Sequence, residues 1–161
     1  MAPTPSVRRH FTASAFTVWN GCTLLLLHSR KSLWLPPGGH VEPDEAPAAT
    51  AVREVWEETG LQVEITSPRL PEGEPRALPR PEAVLEVEVE PGHLHVDMVF
   101  FARPAAGADP RSVHPNEEAS ALRWWTETDL REGNPSSLPG LLPFDVVSLA
   151  LRALRGNGDR L

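Results

Sequence analysis

Three glutamates, Glu54, Glu57 and Glu58, crowd one short stretch of the sequence. At 3.6 residues per helical turn they are related by i,i+3 and i,i+4 spacing, so a helix would project all three carboxylates from one side. Each like-charged i,i+4 pair opposes an isolated helix by roughly 0.2 to 0.5 kcal/mol. A hard divalent cation turns that repulsion into a ligand set, because such ions prefer carboxylate and carbonyl oxygens. The cluster therefore reads as a Mg²⁺ site, with Mn²⁺ as the alternative, against the bland reading of a solvated acidic face.

The elements that must position it can be read on either side. Ala48, Ala51, Val52 and Val55 recur at three- and four-residue spacing with Thr59 one turn on, the narrow apolar stripe of a helix lying on a sheet. Asp44 is the expected N-cap, Pro47 fits the first turn, and Gly60 is the expected stop. Ahead of the helix, Pro36-Pro37-Gly38-Gly39 reads as a rigid turn. Its two glycines can take positive φ, which allows the backbone, including a main-chain carbonyl, to approach a bound ion or phosphate.

The whole stretch resembles the Nudix box. Gly39, then five residues, Glu45, seven residues, Arg53-Glu54-Val55, one residue, Glu57-Glu58, one residue and Gly60-Leu61 resemble it at every defined position. The resemblance implies an α/β fold, a Nudix-like α/β/α sandwich with a mixed β-sheet between helices. It also implies a pyrophosphohydrolase of nucleoside diphosphates linked to a further group, such as nucleoside triphosphates, ADP-ribose or nucleotide sugars, acting by water attack at phosphorus. On that resemblance Glu54 and Glu58 ligate the metal, Glu57 ligates a metal or its waters, and Gly39 offers its carbonyl. Arg53 serves the reaction by pairing with Glu45 to hold loop and helix together. The family also makes an acidic residue before a tryptophan-bearing strand a ligand or the base, which points to Glu118, with Glu117 second and Glu57 as another candidate base. A homodimer is common in the family. The rival class is a nucleotide-sensing domain of the same fold that does not turn its ligand over.

Composition bounds the partners. The 161 residues suit one domain with a single core. A net charge of −7 argues against a nucleic-acid backbone binder but not against a small nucleotide whose charge a metal neutralises. The lone Cys22 reads as a small core residue. Apolar runs such as Leu24 to Leu27 are far short of the ~20 residues of a membrane span, so a cytoplasmic protein is expected.

Along the chain, Phe11 to Trp19 and Leu24 to Leu27 read as strands about an Asn20-Gly21 hairpin. Lys31, the one lysine, is weighed between a solvated loop residue and a substrate-phosphate contact, while Trp34, Trp124 and Trp125 are weighed between stacking on a base and packing in the core, with only Trp34 expected beside the cleft. Five prolines between Pro68 and Pro81 make an exposed loop, expected to rim the active site. Ala83 to Glu90 alternates as a half-exposed strand. In the next strand His93, His95 and Asp97 share one face. They suit zinc or iron, but the preferred reading is a cleft floor or cross-strand hydrogen bonding, with His95 and Asp97 as substrate contacts. Ala119 to Trp125 is a strand and Glu127 to Glu132 a short helix. Pro143 opens a last helix with Phe144, Val147, Leu151 and Leu154 at its apolar spacing, and residues 156–161 are expected to fray.

Overall fold

The computed structural model describes residues 7–68, 71, 73, 75–133 and 138–156. Strand β1 (Arg8–Trp19) turns at Asn20-Gly21 into β2 (Cys22–His28), followed by short β3 (Leu33–Leu35) and β4 (Gly38–His40), helix α1 (Pro47–Thr59) and β5 (Val63–Ile65). A long hairpin, β6 (Ala83–Glu90) and β7 (His93–Pro104), precedes β8 (Ala119–Thr126), α2 (Glu127–Glu132) and α3 (Phe144–Arg155). Both turn residues of the first hairpin have positive φ, 49° at Asn20 and 73° at Gly21, as a twist-matched two-residue hairpin requires.

β1 organises the sheet. It pairs in parallel with β7 over ten residues, Arg8 opposite His93 through Thr17 opposite Ala102, and antiparallel with β4 on its other side. β5 and β6 flank β7, while β2 pairs with β3 and β8 and with the end of β1, so the sheet is mixed. Alternation sorts the core into two layers. Ala13, Ala15, Leu24, Phe100 and Ala102 pack under Ala48, Ala51 and Val55 of α1. Phe16, Leu25, Leu27, Val99 and Phe101 pack under Leu130 of α2 and Val146, Ala150 and Ala153 of α3. This is an α/β/α sandwich, and each strand serves both layers because successive side chains point to opposite faces.

Several local expectations are corrected. Helix α1 starts at Pro47 with Ala46 as an N-cap that makes no side-chain bond, and Asp44 lies in the turn before it. Gly60 does end the helix, at φ 70° with its N–H bonded to the Trp56 carbonyl. Phe144 is 86 % exposed, because the buried face of α3 runs through Val146, Ala150 and Ala153, with Val147, Leu151 and Leu154 only at its margin. Cys22 is half-buried at the hairpin rather than in the core. The proline-rich segment closes on itself through Arg80 N–H to Pro68 C=O at 2.7 Å, and its described residues do not reach the cleft it was expected to rim. Of the terminal residues expected to fray, all beyond Gly156 lie outside the described residues. Among the described residues no helix is long and apolar enough to cross a membrane.

Candidate active site

The glutamate face of α1 meets β4. The Gly38 N–H donates to Oε2 of Glu58 at 2.8 Å, which carries the end of the helix onto the glycine pair. Neither glycine has positive φ. Both are required instead by close approach. A Cβ on Gly38 would stand 2.6 Å from Ser14 Cβ and 2.7 Å from the Ala13 carbonyl, and one on Gly39 would collide with the Glu54 carboxylate. The turn expected from sequence is thus a strand pressed between β1 and the helix.

Arg53 holds the acidic side chains in register. Its Nε and Nη2 form a fork on Glu45, at 2.9 Å to Oε1 and 3.0 Å to Oε2, and Nη2 also donates to the His40 carbonyl at 3.2 Å. Nη1 donates to Glu54 at 2.8 Å and to Glu57 at 3.1 Å. Thr50 Oγ1 donates to Glu45 Oε2 at 2.7 Å. One guanidinium therefore ties the loop before α1, β4 and two of the three glutamates together, a use of the planar five-donor group that lysine cannot copy. The Arg53 fork, with the Thr50 hydroxyl, holds Glu45 below the usual carboxylate range.

Glu58 is nearly inaccessible at 6 % exposure. Burial, with repulsion from Glu54, Glu118 and Glu57, pushes it up to about 8 against the opposing Gly38 bond. Burial raises Glu54 as well, with Glu57 and Glu118 adding to the rise and Arg53 opposing it. Glu118, in the loop before β8, is thus close enough to act on both. Its N–H donates to Asn116 Oδ1 at 2.9 Å, and its carbonyl accepts the Ser29 N–H and hydroxyl at 2.9 and 2.8 Å.

Beside these carboxylates opens a cleft of about 410 Å³. Its floor is Thr12, Ser14 and Phe16 of β1 with His95, Asp97 and Val99 of β7. Leu85, Val87 and Val89 of β6 form an apolar side, and Lys31, Glu58, Glu118 and Asp145 stand on the walls. Asp97 accepts from Thr12 Oγ1 at 2.8 Å and Ser14 Oγ at 2.7 Å, while burial raises it. Burial and the nearby His40, His93 and Lys31 pull His95 down to about 4.

The NUDIX domain family model matches residues 8–143, which span every strand and α1. This chain belongs to the NUDIX family. A NUDIX-family hydrolase from Clostridium perfringens superposes with a TM-score of 0.75 at 28 % identity, over 92 % of this chain and 97 % of that one. A MutT-like protein of Streptomyces ambofaciens is 27 % identical over 131 residues, 81 % of this chain and 72 % of that protein. The human m7GpppN-mRNA hydrolase NUDT17 is 30 % identical over 128 residues, 71 % of this chain but only 37 % of that protein. The chain thus spans only part of the curated relatives it matches.

The residues expected from the NUDIX box fall together: Arg53 joins Glu45, Glu54 and Glu57, Gly39 abuts Glu54, Glu58 bonds the adjacent Gly38 N–H, and Gly60 closes their helix. Lys31, His95, Asp97 and Glu118 line the cleft, while Glu117 is exposed and does not. Trp34 is the correction. It is 2 % exposed, packs edge-on to Trp125 at 5.1 Å, and gives its Nε1–H to the Pro139 carbonyl at 2.9 Å, so no ring face is open to a base. Its neighbours Leu33 and Leu35 line the cleft instead, by strand alternation. Sequence reading missed Thr12, Ser14 and His40. The signal for Thr12 and Ser14 was the period-two polar run through β1, legible only once β1 is known to lie beside β7, and His40, on β4, carried none.

Proposed function

We propose that this NUDIX protein hydrolyses a phosphoanhydride bond in a nucleoside diphosphate linked to a further group, by attack of water at phosphorus, and needs Mg²⁺ or Mn²⁺ to do so. The observation that carries this is the convergence of Glu58 and Glu118 from separate elements onto one cleft, with Glu54 and Glu57 beside them. Four carboxylates in one small volume, two of them raised by burial and by the neighbouring charges, offer oxygen donors only and fit a hard divalent cation. Glu54, Glu57, Glu58 and the Gly39 carbonyl are the groups to hold it. A bound cation supplies neutralisation of the charge that develops on the phosphoryl oxygens.

The chain's own side chains do the rest. Glu118, held by Asn116 and Ser29, takes the proton of the attacking water, with Glu57 the alternative base. Arg53 and Glu45 keep the carboxylates in place without touching substrate. Lys31 meets a phosphate at the cleft wall, and the apolar β6 side beside the polar floor of His95 and Asp97 suits a base and its sugar.

A screen of nucleoside triphosphates, ADP-ribose, nucleotide sugars and dinucleoside polyphosphates with Mg²⁺, read by phosphate release after a coupling phosphatase, tests the reading. At least one compound should turn over, and Glu58→Gln should lower its rate by roughly a hundredfold. Nucleotide binding with no turnover anywhere would make the domain a sensor.

A further inference from the structure

Four imidazoles gather at the open end of the cleft floor. His10 of β1, His40 of β4 and His93 and His95 of β7 each offer a ring nitrogen, all within 4.8 Å of one another. The parallel β1–β7 register sets His10 opposite His95, and the antiparallel β1–β4 register sets Thr12 opposite His40. β4 and β7 are not paired with each other, so this cluster is a direct side-chain link between them.

Hydrogen bonding does not account for it. Nδ1 of His10 lies 3.4 Å from Nε2 of His40 and 3.2 Å from Nε2 of His93. A ring nitrogen carries either one proton or one in-plane lone pair, so His10 Nδ1 can make one good hydrogen bond of the two. Nε2 of His95, moreover, is buried without a partner among the described residues. Unshared lone pairs in one small volume are what a metal ion takes. At a Zn–N distance of 2.0–2.1 Å, a tetrahedral ligand set has nitrogen–nitrogen edges of about 3.3 Å, which the two His10 separations bracket, and the whole set, within 4.8 Å, would draw in slightly on an ion.

We infer that His10, His40, His93 and His95 form a second metal site, for a borderline transition-metal dication of the Zn²⁺ class. All-imidazole ligation suits such ions and not Mg²⁺, so it is chemically separate from the glutamate face. Asp97, which shares the β7 face, is committed to Thr12 and Ser14 and stays outside the set. An ion here would pin β4, and with it Gly38 and Gly39, to β7.

The test is Zn²⁺ titrated calorimetrically into the full, tag-free chain already saturated with Mg²⁺, with visible Co²⁺ absorption as a second reading of tetrahedral nitrogen ligation. One equivalent should bind. His93→Ala and His10→Ala should each weaken uptake by at least about tenfold, the smallest cost of losing even a supporting group at a metal site, while Glu58→Gln leaves it unchanged. His10 is exposed, so its replacement spares the core. No uptake, or uptake that survives both histidine changes or disappears with Glu58→Gln, would overturn the site. Because zinc uptake and not turnover is read, either proposal can fail while the other stands.

Discussion

The carboxylate of Glu58 accepts the backbone N–H of Gly38 at 2.8 Å, although the rest of its surroundings push a proton onto it. The bond fixes the distance between α1 and β4, and it leaves a nearly inaccessible acid with its pKa at about 8. Position and electrostatic cost meet in one residue.

That cost has a sign. Glu58 takes its proton at about 8 when folded and at 4.5 in the reference state, so the unfolded chain releases it first and stability falls as pH rises from about 4.5 to 8. Glu58→Gln, which keeps an acceptor for Gly38, should therefore stabilise the metal-free protein at pH 8 by on the order of 2 to 4 kcal/mol and have little effect at pH 4.5. Urea unfolding of both proteins at the two pH values checks this. An equal difference at both would contradict the assignment.

Arg53→Ala should cost about 2 kcal/mol of stability, because it strands the partly buried Glu45 and Glu54. Glu45 has its pKa lowered, so the stabilisation is present above 4.5 and is lost as pH falls through the folded value. The gap between wild type and variant should accordingly close in acid. Arg53→Lys should restore only part of it, since the fork on Glu45 is lost. Thermal melts across pH report all three.

The two glycines should separate by what they touch. Gly38→Ala drives a Cβ into the backbone and Cβ of β1 and should destabilise the fold by about 1 to 3 kcal/mol. Gly39→Ala meets the movable end of Glu54, so it should spare the melting temperature and weaken Mg²⁺ binding instead. Parallel melts and calorimetry distinguish the two.

Thr17 and Thr23 are fully buried, with hydroxyls that find no partner among the described residues. Thr17→Val and Thr23→Val should each raise stability by about 1 kcal/mol, read as a higher urea midpoint at unchanged slope.

What was legible in the sequence was whatever lies within one helical turn or one hairpin. The glutamate face, the Asn20-Gly21 turn and the Gly60 stop are local, and the chain displays them as spacing, whereas the Arg53–Glu45 pairing was implied only by the resemblance to the NUDIX box. Features made by long-range pairing were not. His10 and His40 join His93 and His95 because β1 sits between β4 and β7, and no window of sequence contains that. Gly38 and Gly39 were read as freedom of φ when the constraint was lack of room, which depends on how near α1 and β1 come. Phe144 misled because its helical spacing to Val147 and Leu151 is real, but it sits on the first residue of α3, where nothing covers it.

Binding of Mg²⁺ or Mn²⁺ to the full chain, followed by calorimetry with and without nucleotide, tests the central claim most directly. Uptake should appear in the wild type, weaken by at least about tenfold in Glu58→Gln, persist in His93→Ala, and decline as pH falls below about 8, since Glu58 must lose its proton to act as a ligand. No uptake under any of these conditions, or uptake indifferent to Glu58→Gln, would contradict the account.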